Sequence, residues 1–248
     1  MALTVLGSAA EVLVATGHDP FARGTLRRAE VRGWLGDGAC AWVGTDAEER
    51  VSYLSALGEP PAVAALVADL LPELPPRQRV TLPRGTPPLL PAWVAVDATD
   101  WDFRWLPEPP PVQAGEDLVV PDVPDADVRA LLELSSPRAS ALPGDAAVRR
   151  WWGVPDEDGR LVACAADTSA ATGVGHLSSI AVDPAARGRG LGKAVTAALT
   201  RALFADGCDV VTLGMYADNA PGRALYDALG FRDEHRFSSG PLQQRGRW

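Results

Sequence analysis

Residues 181–195 read AVDPAARGRGLGKAV, and no other stretch restricts the fold so much. An apolar run, HLSSIAV at 176–182, ends just before the glycines. An amphipathic run, GLGKAVTAALTRALFADG, begins among them. Its Leu191, Val195, Ala198, Leu199, Ala202 and Leu203 recur at helical spacing, and Gly207 can end the helix. The chain therefore passes from strand to helix through a turn almost without side chains. Such a turn lets backbone approach a ligand closely. N–H groups at a helix N-terminus, together with the helix dipole, favour an anion, most often a phosphate. Arg187 and Arg189 add positive charge.

Three phosphate-loop patterns compete for this turn. The GxxxxGK[ST] loop fails, because residue 187 is Arg and Gly192-Lys193 is followed by Ala194. The dinucleotide fingerprint GxGxxG fails as well, because Gly188 and Gly190 are followed at the third position by Lys193. The pattern [RQ]xxGx[GA] is met by Arg187, Gly190 and Gly192. Around the turn the periodicity predicts helix (DADVRALLELS, capped by Asp125), strand–turn–strand (VRRWWGVPDEDGRLVACAADTS, turning at DEDG) and strand (GVGHLSSIAVD). After the long helix come strand (DVVTLGMY), short helix (NAPGRALYDALGF) and strand (FRDEHRFS). In the short helix Asn219 can cap the start, Leu225 and Leu229 form an apolar stripe, and Gly230 closes it.

PEPPPVQAGED, residues 107–117, cannot continue a helix or a central strand. It reads as a linker between halves 1–112 and 113–248. The first half reads as mixed α/β: helix RGTLRRAEVRGWL, strand ACAWVGT, helix PPAVAALVADLLPEL, strand QRVTLP and the strand-like PAWVAVDATDWDFRWL. Trp101, Phe103 and Trp105 alternate onto one strand face and are expected to pack. His18 and Asp19 read as turn residues. No chemistry and no internal sequence repeat is legible there.

The net charge of −9 argues against nucleic acid as a partner. Lys193 is the only lysine, which with abundant Ala, Gly and Pro suggests a GC-rich bacterial genome. No run of 18 apolar residues and no basic, apolar leader is present, so neither membrane span nor signal peptide is expected. Cys40, Cys164 and Cys208 are odd in number and far apart, which fits reduced thiols in a cytoplasmic protein.

Taken together, HLSSIAVDPAARGRGLGKAV and NAPGRALYDALGF resemble the GNAT superfamily of acyl-CoA-dependent N-acyltransferases. The first is similar to the family's pyrophosphate loop and the second to its N…A…LYxxLGF segment. The motifs cover residues 160–232, and the resemblance extends over 113–245. It implies an α/β (mixed α+β) fold: a GNAT-like twisted mixed sheet flanked by helices, preceded by a smaller α/β half. Some relatives carry two tandem halves with the first degenerate, and residues 1–112 are read as a candidate copy of that kind.

The resemblance implies acetyl-CoA, or another acyl-CoA, as co-substrate and no metal. The backbone of Arg187, Gly188, Arg189, Gly190, Leu191 and Gly192, with Lys193, would hold the pyrophosphate. Ile180, Ala181 and Val182 would pair with the pantetheine arm, and Asn219 would bond near its sulfur end. Tyr226 is the implied general acid; a phenol of pKa near 10 is protonated at neutral pH. With Leu225 and Leu229 toward the core, Tyr226 is expected about 100° aside, at a cleft edge. His176 stands where many relatives place a basic glutamate, and on alternation it shares a face with Ser178 and Ile180. A neutral imidazole can take a proton from an ammonium substrate, directly or through water; the alternative is a structural histidine. The implied reaction is direct acetyl transfer to a primary amine of a small molecule or peptide; the alternative is a non-catalytic acyl-CoA-binding regulatory module. The acceptor is not legible: its pocket would be built from the first helix of this half, the loop SSPRASALPGD and part of the first half. Strand packing is expected for one of Trp151 and Trp152. Monomer and homodimer both fit.

Overall fold

The computed structural model describes residues 3–26, 31–46, 51–74 and 78–244. They fall into two units. The first takes the chain to Phe103, Tyr216–Asp218 and the stretch from Glu234; the second takes Arg104–Met215 and Asn219–Asp233. Residues 104–112, grouped with the first half in the sequence reading, lie in the second unit, and the last strand runs from the second into the first.

The first unit runs β1 (Thr4–Leu6), α1 (Ala9–Ala15), α2 (Pro20–Thr25), β2 (Val31–Gly36), β3 (Ala39–Asp46), β4 (Val51–Gly58), α3 (Pro60–Leu70), β5 (Gln78–Pro83) and β6 (Val94–Val96). Strand β7 (Thr99–Leu106) then leads into the second unit. The sheet order is β1-β2-β3-β4-β5, followed by the C-terminal strand β13 (Arg232–Gln244). Val63, Leu66, Val67 and Leu70 place one stripe of α3 on Leu54, Val80 and Leu82. The helix expected over residues 23–35 is shorter. It ends at Thr25, residues 27–30 lie outside the described residues, and 31–36 form β2 between β1 and β3. Pairing on both edges of Val31–Gly36 outweighs the local helical spacing. Strand β4 was also not foreseen. Trp101 and Phe103 do pack, with Phe21 and Phe237, at ring distances of 4.4–6.4 Å. Trp105 belongs to the part of β7 in the second unit.

The second unit continues with β8 (Val120–Pro121), α4 (Asp125–Ser135), β9 (Arg150–Pro155), β10 (Leu161–Asp167), β11 (Val174–Val182), α5 (Leu191–Ala205), β12 (Val210–Tyr216) and α6 (Ala220–Ala228). Its sheet order is β12-β11-β10-β9-β8. Every residue of β10 is buried. Ala163 and Ala165 face Leu191, Val195 and Leu199 of α5, whereas Cys164 and Ala166 face Val128, Leu131 and Leu132 of α4. Helices on both faces explain why this strand reads as an unbroken apolar run. The cap expected at Asp125 is corrected: Pro124 holds the cap position with no side-chain bond, and Asp125 is in the first turn, where a carboxylate favours the helix dipole.

The two units repeat one plan. In each, two antiparallel pairings lead into a parallel pair joined by a crossover helix: β2-β3-β4-α3-β5 in the first, β9-β10-β11-α5-β12 in the second. Residues 107–115 contain neither helix nor strand, and they lie within the second unit rather than between the two. Glu116, just beyond, accepts two bonds from Arg201 of α5 and one from the backbone N–H of Gln113.

Candidate active site

The glycine turn is pinned at its entrance and bare at its exit. Asp183 is buried. Its carboxylate accepts the Ala185 N–H at 2.8 Å and pairs with Arg160 at 2.8 Å. Its N–H donates to the Val162 carbonyl at 2.9 Å. From there Arg187, Gly188, Arg189 and Gly190 are exposed. Gly188 (φ +77°) and Gly190 (φ +79°) take the left-handed conformation that other residues reach only with strain. A Cβ added at either would meet nothing within 4 Å, so both border open space. Helix α5 begins at Leu191 with Gly190 as its cap and no side-chain cap bond. Its first N–H groups, which no helix can satisfy internally, therefore lack a side-chain cap. Gly192 is different: a Cβ there would press on Leu225 and Val182 at 3.1 Å, so this glycine serves close packing.

Beside the turn the sheet opens. The parallel pairing of β11 with β12 runs from Val174↔Val210 to Leu177↔Leu213. Beyond Leu177, β11 keeps its antiparallel partner β10, with Cys164↔Ala181 and Ala163↔Val182. The backbone of Ile180, Ala181 and Val182 thus has a strand on one edge and no registered strand on the β12 side. A bulge lies at this point: Ser179 has φ +49°, and the register with β10 slips there. The slip corrects the alternation inferred from sequence. Ile180 packs with Leu177 in the α5-side core, whereas Ala181 packs with the α4-side core, so His176 and Ile180 do not share a face. The Ser179 hydroxyl also accepts the Ala141 N–H (2.9 Å) and donates to the Ala141 carbonyl (2.8 Å), tying loop 136–149 to the strand.

His176 is half-buried, on β11 opposite Thr212 of β12. Its Nδ1 lies 2.7 Å from the Thr212 hydroxyl, which donates to the Gly175 carbonyl at 2.9 Å. A hydroxyl has one proton. With that proton on Gly175, Thr212 accepts from His176, which places the imidazole hydrogen on Nδ1 and the basic lone pair on Nε2.

Tyr226 does not sit at a cleft edge as expected. It is 6 % exposed, is the buried residue of α6, and meets Phe231 edge-on at 6.0 Å. Burial pushes its phenol up to about 12, and the nearby Arg104 charge pulls the other way. Leu225, expected in the core, is only partly buried and covers Gly192. Asn219 caps α6, its Oδ1 accepting the Gly222 N–H at 3.0 Å. Leu191, Val182, Ile180, Leu225 and Tyr226 belong to or pack on one core cluster, so strand end, helix start and α6 converge. His176 is outside it, on the α4 face.

The thiols are poor nucleophiles. Burial raises Cys164 to about 12 and Cys40 to about 11, and burial also raises the half-exposed Cys208. Trp151 is buried against α4, as strand packing requires. Sequence reasoning missed Thr212, Ser179 and Arg104. The Ser178-Ser179 pair inside an apolar strand and the arginine inside DFRWL were the available signals.

The sequence profile of the acetyltransferase (GNAT) family matches residues 121–231. A mycothiol acetyltransferase of Beutenbergia cavernae is 40 % identical over 81 residues, 33 % of this chain and 27 % of that protein. The chain thus matches only about a quarter of that relative's length. Among solved structures, a GCN5-related N-acetyltransferase from Sphaerobacter thermophilus superposes with a TM-score of 0.58 at 16 % identity, covering 98 % of this chain and 95 % of that one. A tandem GNAT protein from the clavulanic acid biosynthesis pathway gives 0.52 at 16 % identity over 100 % of both chains. At such identity these two share the fold, and that fold spans both units.

Proposed function

Residues 121–231 form a GNAT acetyltransferase domain, and from that premise we propose that this chain transfers an acetyl group from acetyl-CoA to a primary amine of a small molecule or peptide, by direct attack in a ternary complex. The observation that carries the proposal is the exposed, uncapped turn 187–190 at the start of α5, beside the unpaired edge of β11. Open space beside Gly188 and Gly190 fits a diphosphate, and the free edge of Ile180–Val182 fits an extended amide-bearing arm. Bound there, acetyl-CoA supplies an activated thioester.

The residues then take these roles. Backbone N–H groups of residues 187–192 hold the diphosphate, with Arg187, Arg189 and Lys193 adding charge. Asn219 keeps its Nδ2 to donate while its Oδ1 caps α6. His176 takes the amine proton on Nε2, directly or through water, and Tyr226 protonates the departing thiolate. The name of the matched relatives makes an acceptor from mycothiol chemistry the first to try. No helix among the described residues is long and apolar enough to cross a membrane. We place the activity in the cytoplasm, where free thiols stay reduced.

The test is calorimetry with acetyl-CoA, followed by a thioester-consumption screen over amines. Absence of binding heat would sink the proposal; binding without turnover on any amine would favour a regulatory module. The titration should give a stoichiometry of one coenzyme per chain, because the matching helix start in the first unit is unfit for it. There α3 begins at Pro60-Pro61, which carry no N–H, after Glu59, whose charge repels an anion. Two equivalents of heat would refute this. In steady-state assays His176→Gln should lower kcat about tenfold, below the usual range for a general base because solvent can also accept the proton. Thr212→Val should reproduce part of that loss by freeing the tautomer.

A further inference from the structure

Arg104 is 2 % exposed, an unusual place for a guanidinium. From β7 it reaches three successive levels of the segment that carries Tyr226. Nη1 donates to the Arg223 carbonyl at 3.3 Å, and Nη2 donates to the Phe231 carbonyl at 2.9 Å and pairs with Asp227. Arg223, Asp227 and Phe231 are four residues apart, so the contacts form one stripe along α6 and its exit. Helix α6 has nine residues, of which Tyr226 alone is buried, with Leu225 and the capping Leu229 packing beside it, so Arg104 adds a polar anchor to a short apolar contact. A cation near a helix C-terminus also opposes the negative end of the dipole.

We propose that Arg104 is a positioning residue for Tyr226: it clamps the C-terminal half of α6 and holds a positive charge beside the phenol, so that the buried ring can give up its proton. This rests on Tyr226 as the acid. When Tyr226 protonates the thiolate, the phenolic O–H bond breaks and the S–H bond forms. The negative charge moves to the phenolate oxygen until a solvent proton replaces it. A phenolate in this apolar cluster is costly without a cation. The charge that acts on the phenol is Arg104 from β7, itself paired with Asp227 of α6, and the ring lies in an apolar cluster with Leu191, Met215, Leu229 and Phe231. Arg104 lowers the phenol relative to what burial alone imposes.

The experiment compares Arg104→Met, Arg104→Lys, Tyr226→Phe and the Arg104→Met/Tyr226→Phe double variant. Readouts are kcat, acetyl-CoA Kd and the ultraviolet titration of tyrosinate, assigned to Tyr226 by its loss in Tyr226→Phe. Arg104→Met should move the Tyr226 titration to higher pH and lower kcat about tenfold, with Kd changed less than about twofold. Arg104→Lys, which keeps the charge but cannot span Arg223 and Phe231, should restore the midpoint. The double variant should be no slower than Tyr226→Phe, since residues acting as a unit are non-additive. Multiplying losses, or an unmoved midpoint, would overturn the proposal. If Tyr226→Phe alone keeps full kcat, the acid assignment fails instead, a different result. Should Arg104→Met not accumulate folded, Asp227→Asn carries the test. Its side chain is half exposed, and removing its charge beside Arg104 should lower the midpoint; no shift would count against the clamp.

Discussion

Gly190→Val weakens acetyl-CoA binding by at least about a hundredfold and leaves a folded protein. The reason lies in what surrounds the residue. At φ +79° a β-branched side chain costs roughly 1–2 kcal/mol, and nothing within 4 Å would clash with its Cβ. The stability loss is therefore strain alone, a few degrees in Tm. Binding suffers more. The valine methyls stand in the open space assigned to the diphosphate, and relief of the strain turns the first N–H groups of α5 away. Each charge-assisted bond lost is worth about 1.5–3 kcal/mol, and two such bonds give the expected factor. Calorimetry on the variant, beside a thermal melt, checks both halves. An unchanged Kd would remove the diphosphate from this turn.

Tyr226→Phe lowers kcat about a thousandfold, within the range for a lost general acid, while Kd for acetyl-CoA stays within about twofold. Phenylalanine keeps the ring and its edge contact with Phe231, so the packing of α6 survives. The same substitution changes the alkaline stability. Burial raises the Tyr226 phenol from 10.0 to about 12, so between those values the unfolded chain has lost a proton that the folded chain retains. Stability is complete below pH 10 and falls as pH rises through about 12, by some 2–3 kcal/mol at about 1.4 kcal/mol per unit. Cys164 and Cys40, raised from 9.0 to about 12 and about 11, contribute losses of the same sign from pH 9 upward. Denaturant melts from pH 8 to 12 should show a steep fall in the parent and a shallower one in the phenylalanine variant. Equal slopes would mean that the phenol titrates as if exposed.

Much of the second unit was legible because its signals are local. The glycines at 188 and 190, the stripe from Leu191 to Leu203, the Asn219 cap and the Gly230 stop act within a few residues, and each is found as read. The first unit was read less well. Val31–Gly36 has helical spacing but is recruited as a strand by partners on both sides, and β4 carries no distinctive turn chemistry. The common plan of the two units lies in pairing direction, which leaves no repeat in the residues themselves.

At the candidate site the same division holds. The sequence by itself determined the glycine turn, its charge and the helix behind it, because φ preference, missing side chains and apolar period are properties of neighbouring residues. Only the tertiary structure decided that Ser179 bulges and turns Ile180 away from the face of His176, that the Thr212 hydroxyl lies 2.7 Å from the His176 ring, and that Arg104 braces the α6 that carries the buried Tyr226. Those relations join residues between 36 and 127 positions apart or depend on a slip in register with a partner strand. Spacing along one chain segment cannot encode them.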